Sequence, residues 1–182
     1  MNPTQTRSFA LIGHGGDGKT TLADGLVMLG GVTTRLGNVE DGSSYMNFLP
    51  EEKHRRSSIS TSIACFDHDA VHYSILDCPG DSNFAGELSG AVQAVDHAVL
   101  VLSAQDGLKV GSEKAYRTAR TAGISVTAVA NKMDSDRCDF PAVAKKLEEA
   151  LGVRVVTVHL PLGAGEDFGG YVDLLSKTCL LY

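Results

Sequence analysis

Eight consecutive residues, Gly13-His14-Gly15-Gly16-Asp17-Gly18-Lys19-Thr20, satisfy the spacing G-x-x-x-x-G-K-[ST]. Each residue type has a job in binding a nucleotide tail. The amides of Gly15 to Thr20 point inward as an anion nest, the Lys19 ammonium reaches the β- and γ-phosphates, and the Thr20 hydroxyl ligates Mg²⁺. Gly13 and Thr21 flank this cradle, and His14 and Asp17 lend it amides rather than reacting groups. A glycine-rich turn that merely starts a helix leaves the lysine and the threonine at these offsets unexplained.

A second constellation is Asp77-Cys78-Pro79-Gly80, which closes the apolar run VHYSIL. Asp77 suits a carboxylate that holds Mg²⁺ through its water shell, and the Gly80 amide suits a γ-phosphate contact. Taken alone, the same four residues also make an ordinary type I or II turn. A third, Asn131-Lys132-Met133-Asp134, closes the run ISVTAVAN. An aspartate there can accept two N–H bonds from the N1 and N2 edge of guanine, which adenine does not offer, while the Lys132 stem covers the face of the base. In isolation this reads equally as a polar loop with solvated carboxylates. Three such motifs in this order, each ending a strand, make coincidence an inadequate account.

The elements that must position them follow from periodicity. Ser8–Gly13 reads as a strand, and Leu22, Leu26 and Leu29 mark one face of the helix after the glycine loop. Thr61–Phe66 and Val71–Leu76 read as an antiparallel hairpin about Asp67–Ala70. Phe84, Leu88, Ala91, Val92 and Val95 keep helical spacing, and the buried strand His97–Leu102 follows. Glu113–Ala122 is helical by propensity and Ile124–Ala130 is the next strand. A helix from Phe140 to Leu151 is capped by Asp139 and stopped by Gly152. Val153–Leu160 reads as a last strand, and GAGEDFGG after it as a loop. Gly30–Arg56 shows no period, and a loop of that length is often functional. The expected fold is α/β, a P-loop NTPase three-layer sandwich whose sheet is mostly parallel with one antiparallel edge strand, with ligands at the carboxyl ends of the strands.

Composition agrees with a globular domain. The chain has 182 residues, 43% of them hydrophobic and 21% charged, and a domain of that size buries ~70% of its unfolded-chain surface. A formal net charge of -6 gives no general footprint for nucleic acid or an anionic membrane, so sequence-specific DNA binding is not expected. No apolar run approaches the roughly 20 residues of a spanning helix. Four cysteines without a CxxC pair suggest a reducing, cytoplasmic setting and no zinc site. The spacing of His68, His72 and His97 fits no metal either.

Together GHGGDGKTTL, DCPGDSNFAGEL, AVLVLSAQDGLKVGSEKAYRTA, NKMD and HLPLG resemble the N-terminal GTP-binding domain of translation elongation factor G, particularly its divergent paralogues. The resemblance covers almost the whole chain. It implies GTP and GDP as ligands with Mg²⁺, a GTPase activity carried by positioning and charge neutralisation, and the ribosome as the stimulating partner. It also implies a first switch over Gly30–Ser62, ordered by the γ-phosphate, and a second from Asp77 to about Gly90. Lys53-His54-Arg55-Arg56 would then face ribosomal RNA or remain a solvated loop.

Several positions depart from the family pattern. Before the second strand the family reads Arg-Gly-Ile-Thr where this chain has Arg55-Arg56-Ser57-Ser58, which puts Ser58 in the place of the Mg²⁺-binding threonine. Asp81 stands where the family has the histidine that orients the attacking water, and a carboxylate there is repelled by γ-phosphate oxygens. Gly16 replaces an aspartate that can ligate a monovalent cation. The family's last guanine-packing Ser-Ala motif is absent. The expected organisation is therefore a GTP-binding domain over 1–160, incomplete for want of that motif, with 161–182 as the start of an inserted subdomain and the family's remaining domains missing. Three functions stay open on these residues: a slow, partner-stimulated GTPase, a GTP/GDP switch without efficient hydrolysis, and an ATP-using P-loop enzyme, against which NKMD argues.

Overall fold

The computed structural model describes residues 5–181; Met1–Thr4 and Tyr182, the outermost parts of the two expected ranges, lie outside them. The chain divides into two compact units, one running through Val101 and adding Val110–Val129, the other comprising Leu102–Lys109 and Ala130 onward.

The central sheet has the order β2-β3-β1-β4-β5, built from β1 (Thr6–Ile12), β2 (Ser62–His68), β3 (Val71–Asp77), β4 (His97–Ser103) and β5 (Ser125–Asn131). β1 runs parallel to β3 on one side and to β4 on the other. A strand covered on both faces must be apolar at consecutive positions, and Ala10, Leu11 and Ile12 are all fully buried. β2 pairs antiparallel with β3 as the edge strand. Asp69 and Ala70 turn that hairpin with φ of 48° and 62°, the two left-handed residues of a type I′ turn. Phe66 and Tyr73 pair in register across it, with rings stacked at 5.3 Å.

Leu11, Ile75 and Val101 point to one face, where they form a core with Ala23 and Val27 of helix α1 (Lys19–Leu29), Ala64, Phe66 and Met46. Side chains alternate along a strand, so Ala10, Ile12, Leu76 and Leu100 bury the opposite face. There α4 (Val110–Thr121) packs on β1 and against α3 (Ala85–Ala91). Helix, sheet and helix make the three layers expected from the sequence.

Two elements differ from expectation in this unit. The helix read through Val95 ends at Ala91, preceded by a 3₁₀ turn at Ser82–Phe84. Gln93 and Ala94 donate to the carbonyls of Gly90 and Ala91, the three-residue spacing that tightens and closes a helix end. The segment read as irregular contains a short helix, α2 (Pro50–Arg55), started by Pro50 at its first position.

In the second unit α5 (Phe140–Leu151) begins and ends as expected: the Asp139 carboxylate accepts the Ala142 N–H at 2.9 Å, and Gly152 closes the helix at φ 65°. The expected strand Val153–Leu160 is corrected. Only His159 and Leu160 join a ladder, as the start of β6 (His159–Leu162), which pairs antiparallel with β7 (Gly170–Asp173), itself paired with β8 (Thr178–Leu181). The run VRVVTV has strand alternation, but alternation becomes a strand only where a neighbour offers amides, and Val155 N instead donates to the Glu148 carboxylate at 2.9 Å.

Candidate phosphate, metal and base sites

The phosphate loop leaves β1 at Ile12 and enters α1 at Lys19. Gly18 caps that helix in the left-handed region, φ 91°, where a side chain would be strained. Lys19 is buried and its Nζ donates to the His14 carbonyl at 2.8 Å, so the ammonium lies across the loop it would serve. Gly15 and Gly16 are exposed at the loop's crest and Thr21 is exposed beyond it. Asp17 gives more than an amide: its carboxylate is fully buried and accepts from Ser112 Oγ at 3.4 Å. The same Ser112 oxygen accepts the His14 N–H at 3.1 Å. Ser112, in the first turn of α4, thus braces both sides of the loop, a role with no local signal in the sequence.

The three residues expected to hold Mg²⁺ come together. Thr20 Oγ1 donates to Asp77 Oδ2 at 2.6 Å and lies 3.1 Å from Ser58 Oγ, which bonds Asn47 Oδ1 at 2.9 Å. Asp77 is fully buried, and its Oδ1 has no hydrogen-bond partner. Burial pushes its carboxyl up to about 6, against the Thr20 bond and the Lys19 charge, with Asp24 and Glu52 adding to the rise. An orphaned buried carboxylate oxygen beside two hydroxyls is a hard, all-oxygen donor set, and it fits Mg²⁺.

After Asp77, the Cys78 N–H continues the ladder to the Leu11 carbonyl at 3.2 Å. Its thiol is pushed up to about 12 by burial and by the Asp77 charge, which leaves it an inert core group. Pro79 is buried. Gly80 passes so close to the phosphate loop that a Cβ there would meet Lys19 Nζ, and would lie 2.6 Å from the His14 carbonyl carbon. Only glycine lets this backbone approach the cradle. Asp81 follows, and its carboxylate accepts the Asn83 N–H at 2.9 Å as the cap of the 3₁₀ turn.

In the second unit the NKMD turn is held by its backbone. Ala104 N donates to the Asn131 carbonyl at 2.7 Å, Lys132 adopts φ 60°, and the Met133 carbonyl accepts from Gly165 N at 2.9 Å and from Cys138 Sγ at 3.1 Å. Met133 is buried, while Lys132 and Asp134 are exposed. Ser135 Oγ donates to Gln105 Oε1 at 2.7 Å. Gln105 and Gly165, both distant in sequence, were not legible as parts of this turn.

Among the described residues, no helix is long and apolar enough to cross a membrane.

The family model described as the elongation factor Tu GTP binding domain matches residues 4–177. Elongation factor G 2 of Geobacter metallireducens is 31% identical over 176 residues, 97% of this chain and 26% of its own length. Peptide chain release factor 3 of Lactobacillus delbrueckii subsp. bulgaricus is 32% identical over 180 residues, 97% of this chain and 34% of its own. A crystal structure of a protein from Thermus thermophilus superposes with a TM-score of 0.91 at 34% identity, covering 97% of this chain and 26% of that one. The chain therefore spans about a quarter to a third of the length of these relatives. With the phosphate loop, the oxygen cluster and the NKMD turn formed where the motifs stand, the chain belongs to the translational GTPase family as an elongation factor G-like GTP-binding domain.

Proposed function

We propose that the chain binds GTP and GDP with Mg²⁺ and hydrolyses GTP slowly, with the ribosome as the stimulating partner of the protein to which the domain belongs. The observation that carries this reading is the convergence of Thr20, Ser58 and Asp77 beside Lys19, with Asp77 Oδ1 unpartnered. Lys19 neutralises terminal phosphate charge and the loop amides hold the phosphate oxygens. Thr20, Ser58 and Asp77 would hold Mg²⁺, which supplies further charge neutralisation at the β- and γ-phosphates. Gly80 offers an amide close to Lys19, where the γ-phosphate would sit. Asp134, exposed on a fixed turn, selects guanine through its N1 and N2 edge. Cytoplasmic localisation goes with this reading.

Calorimetric titration with GDP, GTP and ATP, each with Mg²⁺, tests it: GDP and GTP bind and ATP does not. ATP binding as tightly as GTP would remove the base assignment. Turnover is then measured with and without ribosomes.

A second reading is favoured by one contact. Where the resemblance expects a water-orienting histidine, Asp81 carries a carboxylate whose Oδ1 accepts the Asn83 N–H at 2.9 Å. On that reading the chain is a GTP/GDP switch without efficient hydrolysis, and turnover stays low with ribosomes present.

A further inference from the structure

The peptide group of His14 is touched from three directions. Its N–H donates to Ser112 Oγ at 3.1 Å, and its carbonyl accepts from Lys19 Nζ at 2.8 Å. A Cβ on Gly80 would lie 2.6 Å from the same carbonyl carbon and would also meet Lys19 Nζ, so the Gly80 backbone rests on this peptide too. Lys19 and Gly80 belong to the phosphate site, whereas Ser112 comes from α4, 98 residues away in sequence.

Ser112 is fully buried, and each bond of its hydroxyl has a defined direction. A backbone N–H can only donate, so the oxygen accepts from His14, and its one hydrogen goes to Asp17 Oδ2 at 3.4 Å. The Asp17 carboxylate is itself fully buried. Asp17 N closes the same span by donating to the His14 carbonyl at 3.4 Å. One hydroxyl of α4 thus joins both ends of the loop's crest. Gly111 lets the helix come this close, because a Cβ there would meet His14 Nδ1.

Resting on the guanine-nucleotide reading above, we infer that Ser112 is a positioning residue for the phosphate end of the nucleotide. A peptide group is planar, so holding its N–H from α4 fixes where its carbonyl points. That carbonyl, in turn, sets where the Lys19 ammonium stands and what the Gly80 backbone packs on. Donors held in place beforehand need no reorganisation when an anion arrives, and a loop that must first be ordered binds more weakly. Ser112 therefore acts on phosphate affinity through His14 and touches neither phosphate nor base.

Calorimetry and ³¹P NMR of bound GDP, on the whole chain with Mg²⁺, test the inference with Ser112→Ala and Ser112→Thr. Ser112→Ala takes a partner from the His14 N–H and from a buried carboxylate, and lowers GDP and GTP affinity roughly tenfold or more. The β-phosphate resonance of bound GDP shifts in this variant, while the preference for guanosine over xanthosine diphosphate is unchanged. Ser112→Thr keeps the hydroxyl and returns affinity and resonance toward the parent values. Ser112→Cys, which fills the space with a weak acceptor, serves if Ser112→Ala does not fold, with a loss of about threefold.

A folded Ser112→Ala with a lower Tm but unchanged affinity and resonance would overturn the inference, because the hydroxyl would then serve packing alone. Failure of Ser112→Thr to restore the resonance at the parent's Tm would do the same. If the parent chain binds no nucleotide at all, the guanine-nucleotide reading fails by itself. Hydrogen exchange at the His14 amide in buffer still decides whether Ser112 holds this peptide: it speeds about tenfold in Ser112→Ala and not in Ser112→Thr, and unchanged exchange overturns the positioning role.

Discussion

The Thr20 hydroxyl donates to Asp77 Oδ2 at 2.6 Å, joining the first turn of α1 to the last residue of β3 across 57 residues of sequence. This bond orients the carboxylate so that Oδ1 is left buried and unpartnered. Asp77→Asn keeps the shape and removes the charge, and is expected to weaken Mg²⁺-dependent GDP binding tenfold or more, about 1.4 kcal/mol. Because burial pushes the Asp77 carboxyl up to about 6, a proton competes with the cation as pH falls through that value, and apparent Mg²⁺ affinity drops with it. Titration of Mg²⁺ against bound nucleotide at several pH values checks both statements.

Lys19 Nζ bonds the His14 carbonyl at 2.8 Å, and a phosphate would exchange that neutral acceptor for charged oxygens. Lys19→Ala is expected to lower GDP affinity on the order of a hundredfold, about 3 kcal/mol. Calorimetry measures it, and unchanged affinity would remove the phosphate-loop assignment.

Asp134 is exposed on a turn fixed by the Met133 and Asn131 carbonyls. Asp134→Asn turns one acceptor into a donor and should relax guanine selectivity. Guanine nucleotides lose roughly 10- to 100-fold, and xanthine nucleotides gain because they present a carbonyl where guanine has NH₂. Competition between GDP and XDP reads the change.

Asp81 caps the 3₁₀ turn through the Asn83 amide. Asp81→Ala is expected to lower stability by about 1 kcal/mol, as loss of a helix cap does, and Asp81→Asn by less. Thermal denaturation distinguishes them. Asp81→His is expected to raise GTP turnover if the chain is a hydrolase that has lost its water-orienting group, and a turnover assay with ribosomes decides between the two readings of function.

Arg56 closes α2 with φ 54°, at the place where the family pattern has glycine. Left-handed backbone strains a residue with a Cβ, and the exposed ion pair of Arg56 with Glu40 at 3.3 Å offsets little of this. Arg56→Gly is expected to stabilise the chain by roughly 0.5–1 kcal/mol, seen as a rise in Tm.

The central strands, the helices after the phosphate loop and after Asp139, and the hairpin about Asp67–Ala70 were legible because each rests on a local rule, an apolar period, a cap or a turn, though Asp67 and His68 join the strand and leave Asp69 and Ala70 as the turn. The three motifs were legible for the same reason, since the order of donors and acceptors along a few residues fixes which phosphate, cation or base edge they suit. Helix α2 was not legible, because six residues carry no period. The failure of Val153–Val158 to join a ladder was not legible either, because alternation specifies a face and not a neighbour.

By itself, then, the sequence determined the chemistry available at each strand end and the layers that support it. Tertiary structure decided which groups meet. Ser58 meets Thr20 and Asn47 at one point, Ser112 braces the phosphate loop from another helix, and Asp81 turns its carboxylate onto its own backbone. These are contacts between residues that no short-range period relates, made when buried charges and amides must find partners away from water, and that requirement acts only once the chain has folded.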